Sequence, residues 1–280
     1  MQNANTILQM TYSDCFLHLW QIRIGMVITE INGQVGYVIL NRLEKKNAFN
    51  PEMIQAIKDA FIDLEANPIV KVVVLSSNSD VFCAGADLEY LKQLQFNSFE
   101  DNLKDSEVVK SLFELIYTYP KITIAQVEGH AIAGGSGLAT ACDFCYAVPE
   151  AKFGYTEVRI GFTPAIVSVF LIRKIGEAKA RELLLSGKLI SSSHAQNIGM
   201  ISEVFEVAQI KEKVAEIAGE LARVTSAESI LMTKSLLNEL YDKSLPDAMN
   251  LGALYNAKMR ETADFKKGIT SFINKEKLTW

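Results

Sequence analysis

The sequence is poor in the features that mark several large classes of protein. It has four cysteines, Cys15, Cys83, Cys142 and Cys145, with no paired framework of the kind that staples small secreted domains, so a reducing, cytoplasmic setting is expected. Cys142-x-x-Cys145 has the spacing of half a zinc or redox site, but there is no second pair and His18, His130 and His194 are scattered, so no metal is expected. Basic residues number 28 against 33 acidic ones, and a net charge of −5 does not favour a nucleic-acid partner. No apolar run approaches the ~20 residues of a membrane-spanning helix, so no membrane partner is expected. Residues 1–25 lack a basic start, a long apolar stretch and a small-residue cleavage site. They do not read as a signal peptide but as a poorly ordered or spurious extension, with Met26 the expected true start.

What is present suits a substantial globular core: 280 residues, 49% apolar and 22% charged. "MVITEINGQVGYVILNR" alternates apolar and polar residues about Asn32-Gly33, the signature of a hairpin. Asn50-Pro51 opens a helix over 51–66 with Met53, Ile57, Phe61 and Leu64 on one face. "IVKVVVLSS" (69–77) and "KITIAQVEG" read as strands buried on both faces. Helices are expected at "ADLEYLKQL", "SEVVKSLFELIYTY", 165–174 and 177–185, and a strand at "GMISEVFE". Alternating strands and helices imply an α/β fold with a parallel-rich sheet. From Gln209 onward the pattern is almost all helical. Three regions are therefore expected: the extension 1–25, a core 26–208 and a helical subdomain 209–280.

Gly134, Gly135 and Gly137 crowd the start of a short helix in "GHAIAGGSGLATACDF". A dinucleotide fingerprint fails because Thr140 stands where the third glycine belongs, and no Gly-Lys-Ser/Thr follows to make a phosphate loop. The nucleophile elbow also fails, since Leu138 replaces its last glycine. A glycine turn packed on a strand, without chemistry, stays open. So does a second possibility, raised by "DVFCAGADLEYL": Ala84-Gly85-Ala86 also leads from a buried strand into a helix. Two such turns side by side can aim two backbone N–H groups at one point, as in an oxyanion hole.

Six segments in order, "LNRLEKKNAFNPEM", "FCAGADLEYL", "GHAIAGGSGLATACDFCYA", "AKFGYTEVRIGFTPA", "RKIGEAKARELLLSGKLISSSHAQNIGMISEV" and "ADFKKGITSFINKEK", resemble the crotonase, or enoyl-CoA hydratase/isomerase, superfamily over about 26–280. The resemblance implies a spiral of ββα turns with a C-terminal helical trimerisation subdomain, and a homotrimer or dimer of trimers. It implies an acyl-CoA thioester substrate, coenzyme A entering as part of it, and no other cofactor. By motif position, Ala84 and Gly134 would donate the two N–H groups to the thioester oxygen. Glu157 would exchange a proton with the neighbouring carbon, its pKa raised by the apolar Phe153, Val158 and Phe162. Arg42, Lys45 and Lys46, with Ala48, would meet the coenzyme's phosphates. Cys83, Gly85, Ala86, Asp87 and Leu88 would line its adenine and pantetheine, Asp87 equally serving as a helix cap. Lys266 or Lys267 would reach the CoA phosphate of a neighbouring subunit.

One departure stands out. Gly137 occupies the place of the family's first catalytic glutamate, so the two-glutamate hydration is in doubt and Ser136 or the substrate would have to position water. Hydration of a 2-enoyl-CoA with a single glutamate leads, nearest to hydratases of branched glutaconyl-type esters. Double-bond isomerisation comes next, then decarboxylation or hydrolysis; a relative hydrolysing 3-hydroxyisobutyryl-CoA would carry Asp where Ala165 stands. A catalytically idle acyl-CoA-binding protein is the alternative of another class.

Overall fold

The computed structural model describes residues 25–280. The extension read at the N-terminus, with Cys15 and His18, lies outside the described residues. In chain order the elements are β1 (Val27–Asn32), β2 (Val35–Leu40), α1 (Pro51–Ala66), β3 (Val72–Ser77), β4 (Val81–Cys83), α2 (Leu88–Leu94), α3 (Phe99–Tyr117), β5 (Ile122–Val127), β6 (His130–Ile132) and α4 (Gly134–Ala141). There follow β7 (Phe144–Ala147), β8 (Lys152–Gly154), α5 (Ala165–Ser186), β9 (Ile190–Ser191), α6 (Ser192–Asn197), β10 (Glu203–Val204), α7 (Ile210–Val224), α8 (Ala227–Leu240), α9 (Leu245–Met259) and α10 (Ala263–Asn274).

Two sheets result, in the orders β1-β2-β3-β5-β7-β10 and β4-β6-β8-β9. Among the described residues only the hairpin β1–β2 and the pair β8–β9 run antiparallel. Strands β3, β5 and β7 of the first sheet are each followed at once by a short strand of the second, β4, β6 and β8. After each short strand the chain turns into a helix, which is the expected ββα spiral. Val72, Val73, Val74 and Leu75 of β3 are all fully buried, as their continuous apolar run requires, each contributing about 1.5–3 kcal/mol of burial.

Local signals place several boundaries. The Asn50 side chain accepts from the Met53 N–H and caps α1, with Pro51 in its first turn. Gly33 turns the hairpin at φ +58. The two helices expected about residue 176 form one element broken by Gly176, whose φ of 76 and ψ of 162 are not helical. Helix α3 begins earlier than its apolar period, at Phe99, because Ser98 caps it. The strand read in "GMISEVFE" shrinks to Glu203–Val204 at the sheet edge.

The helical C-terminal region divides differently from its sequence texture. Ile210, Val214, Ala218 and Ala222 of α7 are buried in the main core, packed on the first sheet. Helices α8, α9 and α10 contain no buried residue. The packing boundary therefore follows α7 and not residue 208, because α7 supplies the cover that β2, β3 and β5 need. Among the described residues no helix is long and apolar enough to cross a membrane.

Candidate active site

The site grows from the loop after β2. Lys46 and Asn47 both adopt left-handed backbone, φ 49 and 56, which Asn tolerates better than most residues. Asn47 is fully buried: its amide donates to Ser77 Oγ at 2.8 Å and to the Phe82 carbonyl at 3.0 Å, and its Oδ1 accepts from the Arg42 N–H at 2.8 Å. The loop is thereby pinned to the end of β4. Further along, the Phe49 N–H donates to the Gly85 carbonyl at 2.7 Å and the Asp87 N–H to the Phe49 carbonyl at 2.8 Å. In such a parallel bridge the middle residue, Ala86, turns its own N–H and carbonyl away from Phe49. Ala86 is exposed, and its N–H has no partner among the described residues.

This corrects the donor expected from sequence. The Ala84 N–H is already given to the Lys46 carbonyl at 3.0 Å, so it is not free for a ligand. Two residues on, the Ala86 N–H is open among the described residues.

The second turn lies against the first. Gly85, at φ +91, is so close that a Cβ there would stand 2.9 Å from the Ala133 Cβ and 3.5 Å from the Gly134 nitrogen. Ala133 itself holds a φ of 52 that non-glycine residues rarely adopt, anchored by its N–H to the Gly154 carbonyl at 2.7 Å. No side chain caps α4. Its first helical bond is Gly137 N–H to Ala133 carbonyl at 3.1 Å, so the Gly134, Gly135 and Ser136 N–H groups precede the intrahelical ladder. Gly134, unlike the buried Gly135 and Ser136, is partly exposed beside Ala86. The glycines answer to contact: a Cβ on Gly135 would lie 2.2 Å from the Cys83 carbonyl oxygen, and one on Gly134 would lie 2.9 Å from the Phe49 ring.

Glu157 arrives on a short 3-10 turn, Glu157–Ile160, closed by Gly161 at φ 78. The strand before it is stitched to α4: the Gly154 N–H donates to Ser136 Oγ at 2.9 Å, and Tyr155 Oη lies 3.2 Å from Thr140 Oγ1. Glu157 is 9% exposed, and its Oε2 is buried with no hydrogen-bond partner among the described residues. Burial raises its pKa, against a smaller lowering by its own backbone N–H. Of the three apolar neighbours expected, Phe153 is buried while Val158 and Phe162 are part of the exposed surface.

Two residues expected to position water cannot do so. Ser136 is fully buried and its hydroxyl donates to the Ala131 carbonyl at 2.6 Å while accepting from Gly154, so it staples the strand to the helix. At Gly137 a Cβ would stand 2.2 Å from Val167 Cγ1 and 3.0 Å from Phe113 Cε1, so hydrocarbon fills the space where a side chain would project.

The expected coenzyme contacts divide. Arg42 is 9% exposed and turned inward, with its guanidinium 2.8 Å from Asp87 and 2.8 Å from the Ala48 carbonyl, so it is not a phosphate ligand. Burial pushes the Asp87 carboxyl up, but the Arg42 guanidinium and backbone N–H groups outweigh it and hold the pKa low. Asp87 also caps α2 by accepting from the Glu89 N–H. Lys45 pairs with Glu89 at 2.8 Å, whereas Lys46 is exposed and has no ion-pair partner among the described residues. Ala48 and Cys83 are buried, and Leu88 is 73% exposed at the mouth. Lys267 lies over the Trp280 ring of its own chain at 4.7 Å. Burial pushes the Cys83, Cys142 and Cys145 thiols each up to about 12, which leaves them protonated.

Sequence reasoning missed Asn47, Val167 and Phe113. Asn47 carried a signal, a lone Asn after two lysines at a turn. Val167 carried none, because it comes from a helix 30 residues beyond the glycine it touches.

Two stacked sheets wound as ββα turns, with two strand-to-helix turns abutting at one exposed point, are the architecture of a crotonase-type fold. A Polaromonas sp. enoyl-CoA hydratase of known structure superposes with a TM-score of 0.83 at 30% identity, over 90% of this chain and 98% of that one. The enoyl-CoA hydratase/isomerase family pattern matches residues 30–280. A Thermus thermophilus protein provisionally named enoyl-CoA hydratase is 42% identical over 87% of this chain and 96% of its own length. A crotonyl-CoA hydratase of Syntrophomonas wolfei is 30% identical over 90% and 96%. The chain belongs to the enoyl-CoA hydratase/isomerase family and is an enzyme of that family.

Proposed function

We propose that this enzyme adds water to, or removes it from, a 2-enoyl-CoA, with Glu157 as its single proton-transfer group. The observation that carries this reading is the buried Oε2 of Glu157, without a hydrogen-bond partner among the described residues, whose pKa burial raises above the ordinary carboxylate value. The Ala86 and Gly134 N–H groups would receive the thioester oxygen as charge develops on it. One such donor is worth about 2.7–4 kcal/mol of transition-state stabilisation. In hydration, one oxygen of the Glu157 carboxyl gives its proton to C2. The other takes a proton from the water whose oxygen bonds C3, so one water is consumed and the carboxyl is restored. The names of the relatives at 42% and 30% identity support water addition.

A second reading, relocation of the double bond, is favoured by the hydrocarbon at Gly137, where a second acid would act. For the coenzyme phosphates Lys46 is the candidate cation of the basic loop, without an ion-pair partner among the described residues. The unburied helices α8–α10, with Leu245, Met249, Phe272 and Ile273 each more than two-thirds exposed, suit assembly as a trimer or dimer of trimers. Light scattering tests that assembly.

The test of function is mass spectrometry of short enoyl-CoAs incubated in heavy water, wild type beside Glu157→Gln. Water gain with deuterium at C2, lost in the variant while acyl-CoA binding persists, supports the reading. Deuterium exchange that survives in Glu157→Gln refutes it, and binding without any exchange would favour an idle acyl-CoA-binding protein.

A further inference from the structure

The first turn of α4 faces a continuous hydrocarbon wall. The Phe49 ring lies against Gly134, and Phe113 and Val167 close on Gly137, where a Cβ would stand 2.2 Å from Val167 Cγ1 and 2.9 Å from its Cβ. The wall is stiff. Phe113 is edge-on to Phe49 at 6.4 Å and stacked on Phe170 at 5.9 Å, and Phe170 meets Tyr117 at 5.0 Å. Val167 and Phe113 are 5% and 1% exposed. A held water needs two to four polar partners, and the Val167, Phe113 and Phe49 side chains offer none.

We infer that Val167 determines the specificity of this site, by keeping water from being held beside residue 137 and so setting the partition between water addition and proton relocation. The inference rests on the proposed role of Glu157. On the dry side, the enolate can only return its proton through that carboxyl. The Glu157 carboxylate takes a proton from C4 of a 2-enoyl thioester, the C4–H electrons form the C3–C4 double bond, the C2–C3 π electrons move into C1–C2, and the carbonyl π electrons pass to the thioester oxygen. Collapse of this dienolate takes the proton from Glu157 back at C4, or at C2 to give the 3-enoyl isomer, and no atom is gained or lost. Water addition competes only where Glu157 alone holds the water. Phe113 and Phe49 keep the wall in place and are positioning residues for Val167.

The partition is read with trans-2-hexenoyl-CoA in heavy water, as the ratio of 3-hydroxyacyl product to deuterium entering C4. Val167→Thr keeps the side-chain volume and adds one hydroxyl at the wall. It is expected to raise that ratio about fivefold, the worth of one ordinary hydrogen bond to a water. Val167→Ala, which opens space for water, is expected to move it in the same direction. A purely structural role for Val167 would lower both rates together and leave the ratio alone. An unchanged ratio in either folded variant overturns the inference, as does wild-type hydration with no deuterium at C4. Those results leave the Glu157 reading standing if exchange is still lost in Glu157→Gln, whereas exchange that survives in that variant overturns both.

Discussion

Asn47→Ala isolates what holds the two turns in place. The side chain donates to Ser77 Oγ and the Phe82 carbonyl and accepts from the Arg42 N–H, and its amide also lies 3.2 Å from the Val81 carbonyl. Four hydrogen bonds, two of them buried and two partly buried, are lost at up to about 1 kcal/mol each. Alanine at φ +56 adds about 1 kcal/mol of left-handed strain that Asn largely avoids. The sum is about 4–5 kcal/mol, and at about 2 °C per kcal/mol for a chain of this size the melting temperature should fall by about 8–10 °C. Asn47→Gly removes the same bonds without the strain and should recover about 1 kcal/mol of it. Thermal unfolding followed by circular dichroism measures both. A loss below about 2 kcal/mol for Asn47→Ala would refute the hydrogen-bond reckoning, and equal losses for the two variants would refute the strain. Because the Asn47 carbonyl accepts from Cys83 Sγ and the Lys46 carbonyl from the Ala84 N–H, kcat should fall more than KM rises at a temperature where the variant is folded.

Other changes test other contacts. Gly135→Ala places a methyl 2.2 Å from a backbone oxygen that cannot yield, and should cost about 3 kcal/mol or more. Gly219→Ala, mid-helix with nothing within 4 Å, should stabilise the fold by about 0.5–1 kcal/mol, and denaturant titration of the two side by side checks the sign of each. Burial raises the Glu157 pKa in the folded state, so the folded protein holds this proton to higher pH than the unfolded chain. Its contribution to stability is therefore present below the ordinary carboxylate pKa and is lost as pH rises through the raised one. Melting temperatures from pH 4 to 8 should show wild type falling relative to Glu157→Gln, and parallel curves would contradict this. Lys174 is half-buried and donates to the Thr140 and Cys142 carbonyls at 3.0 and 2.6 Å, closing the far end of α4. Lys174→Met should cost about 2–3 kcal/mol by stranding them, and hydrogen exchange should rise first in α4.

Much of this enzyme was legible in one dimension because its rules are local. The Asn32-Gly33 hairpin, the Asn50-Pro51 start of α1 and the helical run from Gln209 onward follow from turn chemistry, capping and a 3.6-residue period. The order of motifs carried the family. What the sequence could not settle is where a backbone N–H points. Ala84 and Ala86 are the same residue two positions apart, and only the pairing of Phe49 across Ala86 decides that one is spent on Lys46 and the other is open. Arg42 reads as a cation for phosphate until Asp87, 45 residues on, claims it. Gly137 reads as a missing acid. Val167 and Phe113, brought from two other helices, make it a filled position, because packing between distant segments leaves no periodic trace in either one.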